Sequence, residues 1–265
     1  MKKFNLILLS IFCIACQNQK YTETTYVESK HIHIPNSNID IITRQEIFEK
    51  LYEIYQIKKE AIEEQIKASL FSTHQEDAYM HIDSIINKYN IKINLKEPTA
   101  PFIPIENKYI HWSGNQNSSI SIIEIVNPEC DLCQIATKRT EKLLTSIKDK
   151  VKIGYVLFSN ENTLSIQALL YASKKNKFLE LFDEFISLPI PIDTTTILNQ
   201  MNKNGLDIND FKNSIPILQE NCLNQSIYIR KLGISKTPTI LVNNRLIYNP
   251  LDTTYIKKKI FSSNK

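Results

Sequence analysis

The chain is 265 residues long and carries 32 Lys and Arg against 28 Asp and Glu, a formal net charge of +4. Lys2 and Lys3 at the N-terminal end supply half of that surplus and no basic block follows, so the composition argues against a nucleic-acid partner. The length leaves room for one domain of ordinary size and a smaller appendage.

The first element is a leader. Lys2 and Lys3 precede an apolar run from Phe4 to Ala15 that is too short to hold a bilayer as a permanent anchor and has the form of an export signal. The run ends in "CIAC", which resembles a bacterial lipobox. That resemblance implies that residues 1–15 are removed and that Cys16 is lipidated and becomes the mature N-terminus. The protein would then sit in the bacterial cell envelope, lipid-anchored on the periplasmic side. Residues 16–42 are polar, rich in Thr, Ser and Asn and without helical period, which reads as a flexible tether. His31 and His33 fall in it as an incidental pair.

Thr43 followed by Glu46 forms a capping box, and Ile47, Leu51, Ile54, Tyr55, Ile62, Ile66 and Leu70 keep helical spacing after it. Thr73 and Glu76 repeat the signal ahead of Ala78, Ile82, Ile85, Ile86 and Tyr89. The expectation is an N-terminal helical unit over residues 43–97, too small to hide its apolar faces without packing on something else. "NLKEPTAPFIPIEN" follows, and its prolines exclude helix and central strand, leaving an extended connector over residues 98–108.

A second domain is expected over residues 109–265. "SISIIEIV" (119–126) reads as a buried strand, 131–148 as a helix and "KIGYVLF" (152–158) as a second strand. Helical patterns dominate from Asn162 to Leu232, broken by "LPIPID" and "KNGLDIND" and closed by Gly233. "PTILVNNRLIY" (238–248) predicts a hairpin turning at Asn243 and Asn244, and 252–261 a last helix. The order βαβ, helices, ββα implies an α/β fold with a mixed sheet covered on both faces.

Of the 5 Cys, export removes Cys13 and lipid would block Cys16, which leaves Cys130, Cys133 and Cys222 in a compartment where disulfides persist. A C-x-x-C is compatible with a metal site, a structural crosslink or a redox pair. Zinc would need further ligands, yet all 5 His lie at or before His111 and no second C-x-x-C exists, so no metal site is expected. Structural crosslinks more often close longer loops. Cys130 falls at a strand-to-helix junction, where free backbone N–H groups and the positive helix end favour thiolate, and Cys133 follows within reach of it. Glu124 alternates onto the face of Ile120, Ile122 and Val126, where burial should raise its pKa into the range of a proton acceptor. Cys222 shares an apolar helix stripe with Leu218, Ile229 and Leu232 and reads as a buried, inert thiol.

"SISIIEIVNPECDLC" resembles the first strand and active-site turn of thioredoxin-fold proteins, in particular the DsbA-like branch, in which an acidic residue lies six positions before the first cysteine, as Glu124 does here. "LGISKTPTILVNNRLI" resembles the second signature of that family, a cis-proline loop facing the cysteines, with Thr237 and Pro238 at the matching positions. The long interval from Cys130 to Pro238 leaves space for the helical insertion of the DsbA-like branch, expected over about residues 162–228. The resemblance implies a thioredoxin fold with helical insertion, preceded by the small α-helical N-terminal unit. It implies a thiol:disulfide oxidoreductase in which Cys130 and Cys133 exchange disulfides, Glu124 handles protons, and Thr237 with Pro238 docks the substrate chain.

Between the cysteines stand Asp131 and Leu132, neither the Pro-His nor the Gly-Pro of well-known members, and Glu129 and Asp131 put negative charge beside Cys130. The pair should therefore be less oxidising than the strongest oxidases. The expected partners are cysteine-containing exported polypeptides and a membrane redox partner, with no dissociable cofactor. The N-terminal helices allow a homodimer. A different class is also open, a polypeptide-binding, chaperone-like module whose disulfide is structural.

Overall fold

The computed structural model describes residues 43–73, 80–145, 147–159 and 161–262. The leader, Cys16 and the tether with His31 and His33 lie outside the described residues. Helices α1 (Arg44–Thr73) and α2 (Ile82–Tyr89) come first. Then follow β1 (His111–Gly114), β2 (Ser121–Val126), α3 (Asp131–Leu144) and β3 (Lys152–Leu157). Four helices succeed them: α4 (Leu164–Lys174), α5 (Phe178–Phe185), α6 (Thr194–Lys203) and α7 (Ile208–Lys231). The hairpin β4 (Thr239–Val242) and β5 (Arg245–Leu246) and the helix α8 (Thr253–Ser262) complete the chain.

The strands form one sheet in the order β1-β3-β2-β4-β5. Only β2 and β3 run parallel, joined by the α3 crossover; β1 on β3, β4 on β2 and β5 on β4 are antiparallel. This is a mixed sheet with a helical insertion between β3 and β4, a thioredoxin-like α/β fold preceded by a helical N-terminal region. Central β2 is buried almost throughout, as its unbroken apolar run requires, with Glu124 the single charge inside it. Asn243 and Asn244 both adopt positive φ, at 49° and 62°, the backbone of a two-residue hairpin turn.

Three details differ from the sequence expectation. The strand β1 was not anticipated: "HWSG" is too short to show alternation and is held by its pairing with β3. The helix α3 stops at Leu144 rather than 148, and a single 3-10 turn at Lys148–Lys150 leads into β3. Thr73 is the last residue of α1, and the following helix among the described residues begins at Ile82 behind His81; Glu76 lies outside the described residues. The Thr43–Glu46 box does form, with Glu46 Oε2 accepting from Thr43 N at 2.7 Å and Glu46 N donating back to Thr43 Oγ1 at 3.2 Å.

Alternation along β2 divides the interior. Ile123 and Ile125, with Val156, Phe158 and Leu241, face a layer containing Phe48 and Tyr52 of α1 and Ile229 of α7. Ile122, Val126 and Glu124 face the other way, toward α3, α8 and the insertion. Phe48 and Tyr52 are buried, each contributing roughly 2 kcal/mol by area, so the first turns of α1 are a piece of this core.

After α7 the chain reverses at Gly233, whose φ is +87° and where an added Cβ would lie 2.9 Å from both Cβ and Cγ of Arg44. The position needs a residue that tolerates left-handed backbone and a helix passing directly overhead. Gly233→Ala is expected to cost about 1–2 kcal/mol, read as a fall of several degrees in the thermal midpoint. An unchanged midpoint would mean that α1 does not lie over this loop.

Candidate active site

The turn between β2 and α3 is built from its own side chains. Asn127 Oδ1 accepts from Glu129 N at 3.0 Å, and Cys130 N donates to Asn127 O at 3.2 Å. Gln134 of α3 donates through Nε2 to Pro128 O at 3.2 Å and to Leu188 O at 2.8 Å, tying the turn to the loop after α5. The Glu129 carboxylate accepts from the Ser165 hydroxyl at the start of α4.

Cys130 is the N-cap of α3, with extended backbone at φ −123° and ψ 116°. Its sulfur takes the place of a capping oxygen, accepting from Cys133 N at 3.3 Å. Sγ also lies 3.9 Å from the carbonyl oxygen of Thr237, whose peptide bond to Pro238 is cis. The thiol pKa is lowered to about 6. The neighbouring Cys133 thiol contributes most to this; burial opposes it, and the Cys133 N–H, Thr237 and the Leu132 N–H add to it. That value lies between an ordinary thiol near 8.5 and the ~3.5 of the strongest oxidant. Cys133 is fully buried and its thiol is pushed far up, first by its interaction with the Cys130 sulfur and then by burial. The two sulfurs thus divide into a half-buried thiol that ionises readily and a buried thiol that holds its proton, a pair that titrates as one unit.

Thr137 follows Cys133 by one helical turn on the same buried face of α3 and donates Oγ1 to Glu124 Oε2 at 2.9 Å. Glu124 is 1% exposed, and neither its Oε1 nor the buried Thr140 Oγ1 has a hydrogen-bond partner. Burial pushes its carboxyl up to about 7, against the easing effect of the Thr137 and Thr140 hydroxyls and with the Glu141 charge adding to the rise. Tyr155 stands opposite Glu124 on β3, and its phenol is pushed well above the usual range by burial first and by the Glu124 charge second.

The structure therefore brings Cys130, Cys133, Thr237 and Pro238 together and puts Glu124 under α3 one turn beyond Cys133, joined to it through Thr137. Cys222 is buried on α7, in the same apolar cluster as Cys133, Phe211 and Leu218, its thiol raised by burial. Thr137 was legible in principle from its spacing behind Cys133 on an apolar helix face. The parts played by Gln134 and Ser165 were not, because each rests on a contact with a segment distant in sequence.

A family model described as thioredoxin matches residues 106–260. No curated protein matches the chain. Among solved structures, a thioredoxin-like oxidoreductase from Silicibacter pomeroyi is similar with a TM-score of 0.53 and 16% identity, covering 60% of this chain and 94% of that one. BdbD from Bacillus subtilis, in its oxidised form, is similar with a TM-score of 0.50 and 18% identity, covering 62% and 98%. At such identities the likeness is one of fold.

Proposed function

Because this chain belongs to the thioredoxin family, we propose that it is a thiol:disulfide oxidoreductase that acts on cysteine-containing exported polypeptides through Cys130 and Cys133. One observation carries the reading: a thiol at a helix N-cap, its pKa lowered to about 6, has its sulfur 3.9 Å from the part-buried carbonyl of Thr237 and is followed one helical turn later by a second, buried thiol.

In the reducing direction the Cys130 thiolate attacks one sulfur of a client disulfide, forming a mixed disulfide and releasing the other client sulfur as a thiolate. Cys133 then gives its proton to the Glu124 carboxylate and attacks Cys130 Sγ, closing the protein disulfide and releasing the second client thiolate. Two electrons pass from protein to client, and the oxidising direction is the same sequence reversed. Burial, which persists in the mixed disulfide, still resists ionisation of Cys133, and a carboxyl near 7 is suited to accept and return its proton at neutral pH. Thr237 and Pro238 dock the client backbone as an added strand would. A membrane redox partner resets the pair. Lipid on Cys16 holds the protein at the periplasmic side of the cell envelope, with residues 16–42 as tether. Among the described residues no helix is long and apolar enough to cross a membrane.

Cys133→Ala tests the reading. With resolution blocked, the variant should accumulate mixed disulfides through Cys130 with envelope polypeptides, released by reductant and absent from the Cys130, Cys133 double variant. The exposed Ile47, Leu51, Ile54 and Ile57 on α1 favour the second reading, a polypeptide-binding module. That module would retain client binding in Cys133→Ala and trap no disulfide, which would overturn the enzyme assignment.

A further inference from the structure

The loop that carries Thr237 is held by a helix that lies outside the span matched by the family model. Gln45, in the first turn of α1, is 3% exposed, and three of its four polar groups meet this loop. Its backbone N–H, one of the donors a helix start leaves without an intrahelical partner, bonds Gly233 O at 3.1 Å. Its side-chain Oε1 accepts from Ser235 N at 3.2 Å, and its Nε2 donates to Thr239 Oγ1 at 2.8 Å. Thr239 Oγ1 in turn donates to Lys236 O at 2.8 Å. One amide thus bridges residues two positions before and two positions after Thr237, its oxygen and its nitrogen each bonded to the loop. Glu49, one turn further along α1, pairs with Lys236 at 2.6 Å on the outer side.

We propose that Gln45 is a positioning residue for client docking: the first turns of α1 set the position of the Thr237 carbonyl against Cys130, so that the N-terminal helix is a working part of the exchange site. The inference rests on the oxidoreductase reading and deepens it. A buried side chain bonded at both its amide oxygen and its amide nitrogen holds a loop far more tightly than an exposed one, and losing a shared partner leaves Ser235 N and Thr239 Oγ1 short of one bond each in a dry setting. A displacement of about 1 Å at the docking carbonyl matters to an extended client that must pair with it and leaves a small disulfide reagent unaffected.

The test is Gln45→Met, which keeps volume and removes the amide. Reduced protein is mixed with two oxidants: hydroxyethyl disulfide, too small to engage the loop, and a synthetic peptide with a single internal disulfide. The peptide rate should fall at least about tenfold, while the hydroxyethyl disulfide rate and the midpoint of the thiolate absorbance stay within about twofold and a few tenths of a pH unit of the parent. A peptide rate unchanged from the parent overturns the proposal, as does an equal loss on both reagents, which would be general disruption. If Gln45→Met fails to fold, Glu49→Ala decides: a peptide-selective loss of about threefold upholds the brace, and no selectivity overturns it. Failure of the parent protein to react with either reagent would instead sink the oxidoreductase reading.

Discussion

Glu124→Leu is expected to make the folded protein more stable above neutral pH while crippling its chemistry. The carboxyl ordinarily titrates at 4.5 and in the fold at about 7, raised first by burial. Between those values the folded protein keeps a proton that the unfolded chain has released, so native stability is fullest below 4.5 and declines as pH rises through 7. The shift corresponds to about 3 kcal/mol of stability lost by pH 8. Leucine has nothing to titrate. The variant minus parent difference in stability should therefore grow by about 3 kcal/mol from pH 4 to pH 8, a change of about 6–12 °C in relative thermal midpoint for a chain of this size. Constant offsets, including the Thr137 hydroxyl left without its acceptor, cancel in that comparison. Resolution should slow about a hundredfold, because Cys133 then lacks a base, and mixed disulfides should persist in the variant as they do in Cys133→Ala. Parallel pH profiles for parent and variant would show that Glu124 is not the buried proton acceptor.

The second large effect belongs to Cys130. The absorbance of the reduced protein near 240 nm should rise with a midpoint close to pH 6, and at pH 7 iodoacetamide should modify Cys130 well before either other cysteine. Because the thiolate is favoured, the reduced form gains stability over the disulfide form as pH rises past 6, which makes the pair a moderate oxidant. Cys130→Ser should abolish exchange, by more than about a thousandfold, since a serine hydroxyl is not ionised at neutral pH. Cys222 should resist labelling until the protein is unfolded, its thiol being buried and raised. A midpoint near 8.5 would show that the N-cap and the Cys133 neighbour do not act on Cys130, and one near 3.5 would put the protein among the strongest oxidants.

Burial resists charge at both sites, and the neighbours of each group decide the outcome. A sulfur at a helix start receives N–H donors, so charge is welcome there; a carboxylate on a central strand receives one hydroxyl and no cation, so charge is resisted. The half-buried Cys130 has the Cys133 thiol beside it, the largest cause of its lowered pKa, while the fully buried Glu124 has no comparable support for its charge.

Much of this was legible from local pattern. The apolar run 119–126 could only be a buried strand, and alternation then put Glu124 on the face of Ile122 and Val126. The junction ahead of Asp131 made Cys130 a helix cap, and Asn243 with Asn244 marked the hairpin. Each of these follows from chemistry within a few residues along the chain. What only the tertiary structure decided are relations between segments far apart: Gln45 across the Thr237 loop, Ser165 on the Glu129 carboxylate and Gln134 on Leu188 O. The reason is physical. Periodicity and capping record which face of an element is buried and where it begins, whereas a hydrogen bond between buried polar groups exists only once packing has removed water from both and left each with no other partner.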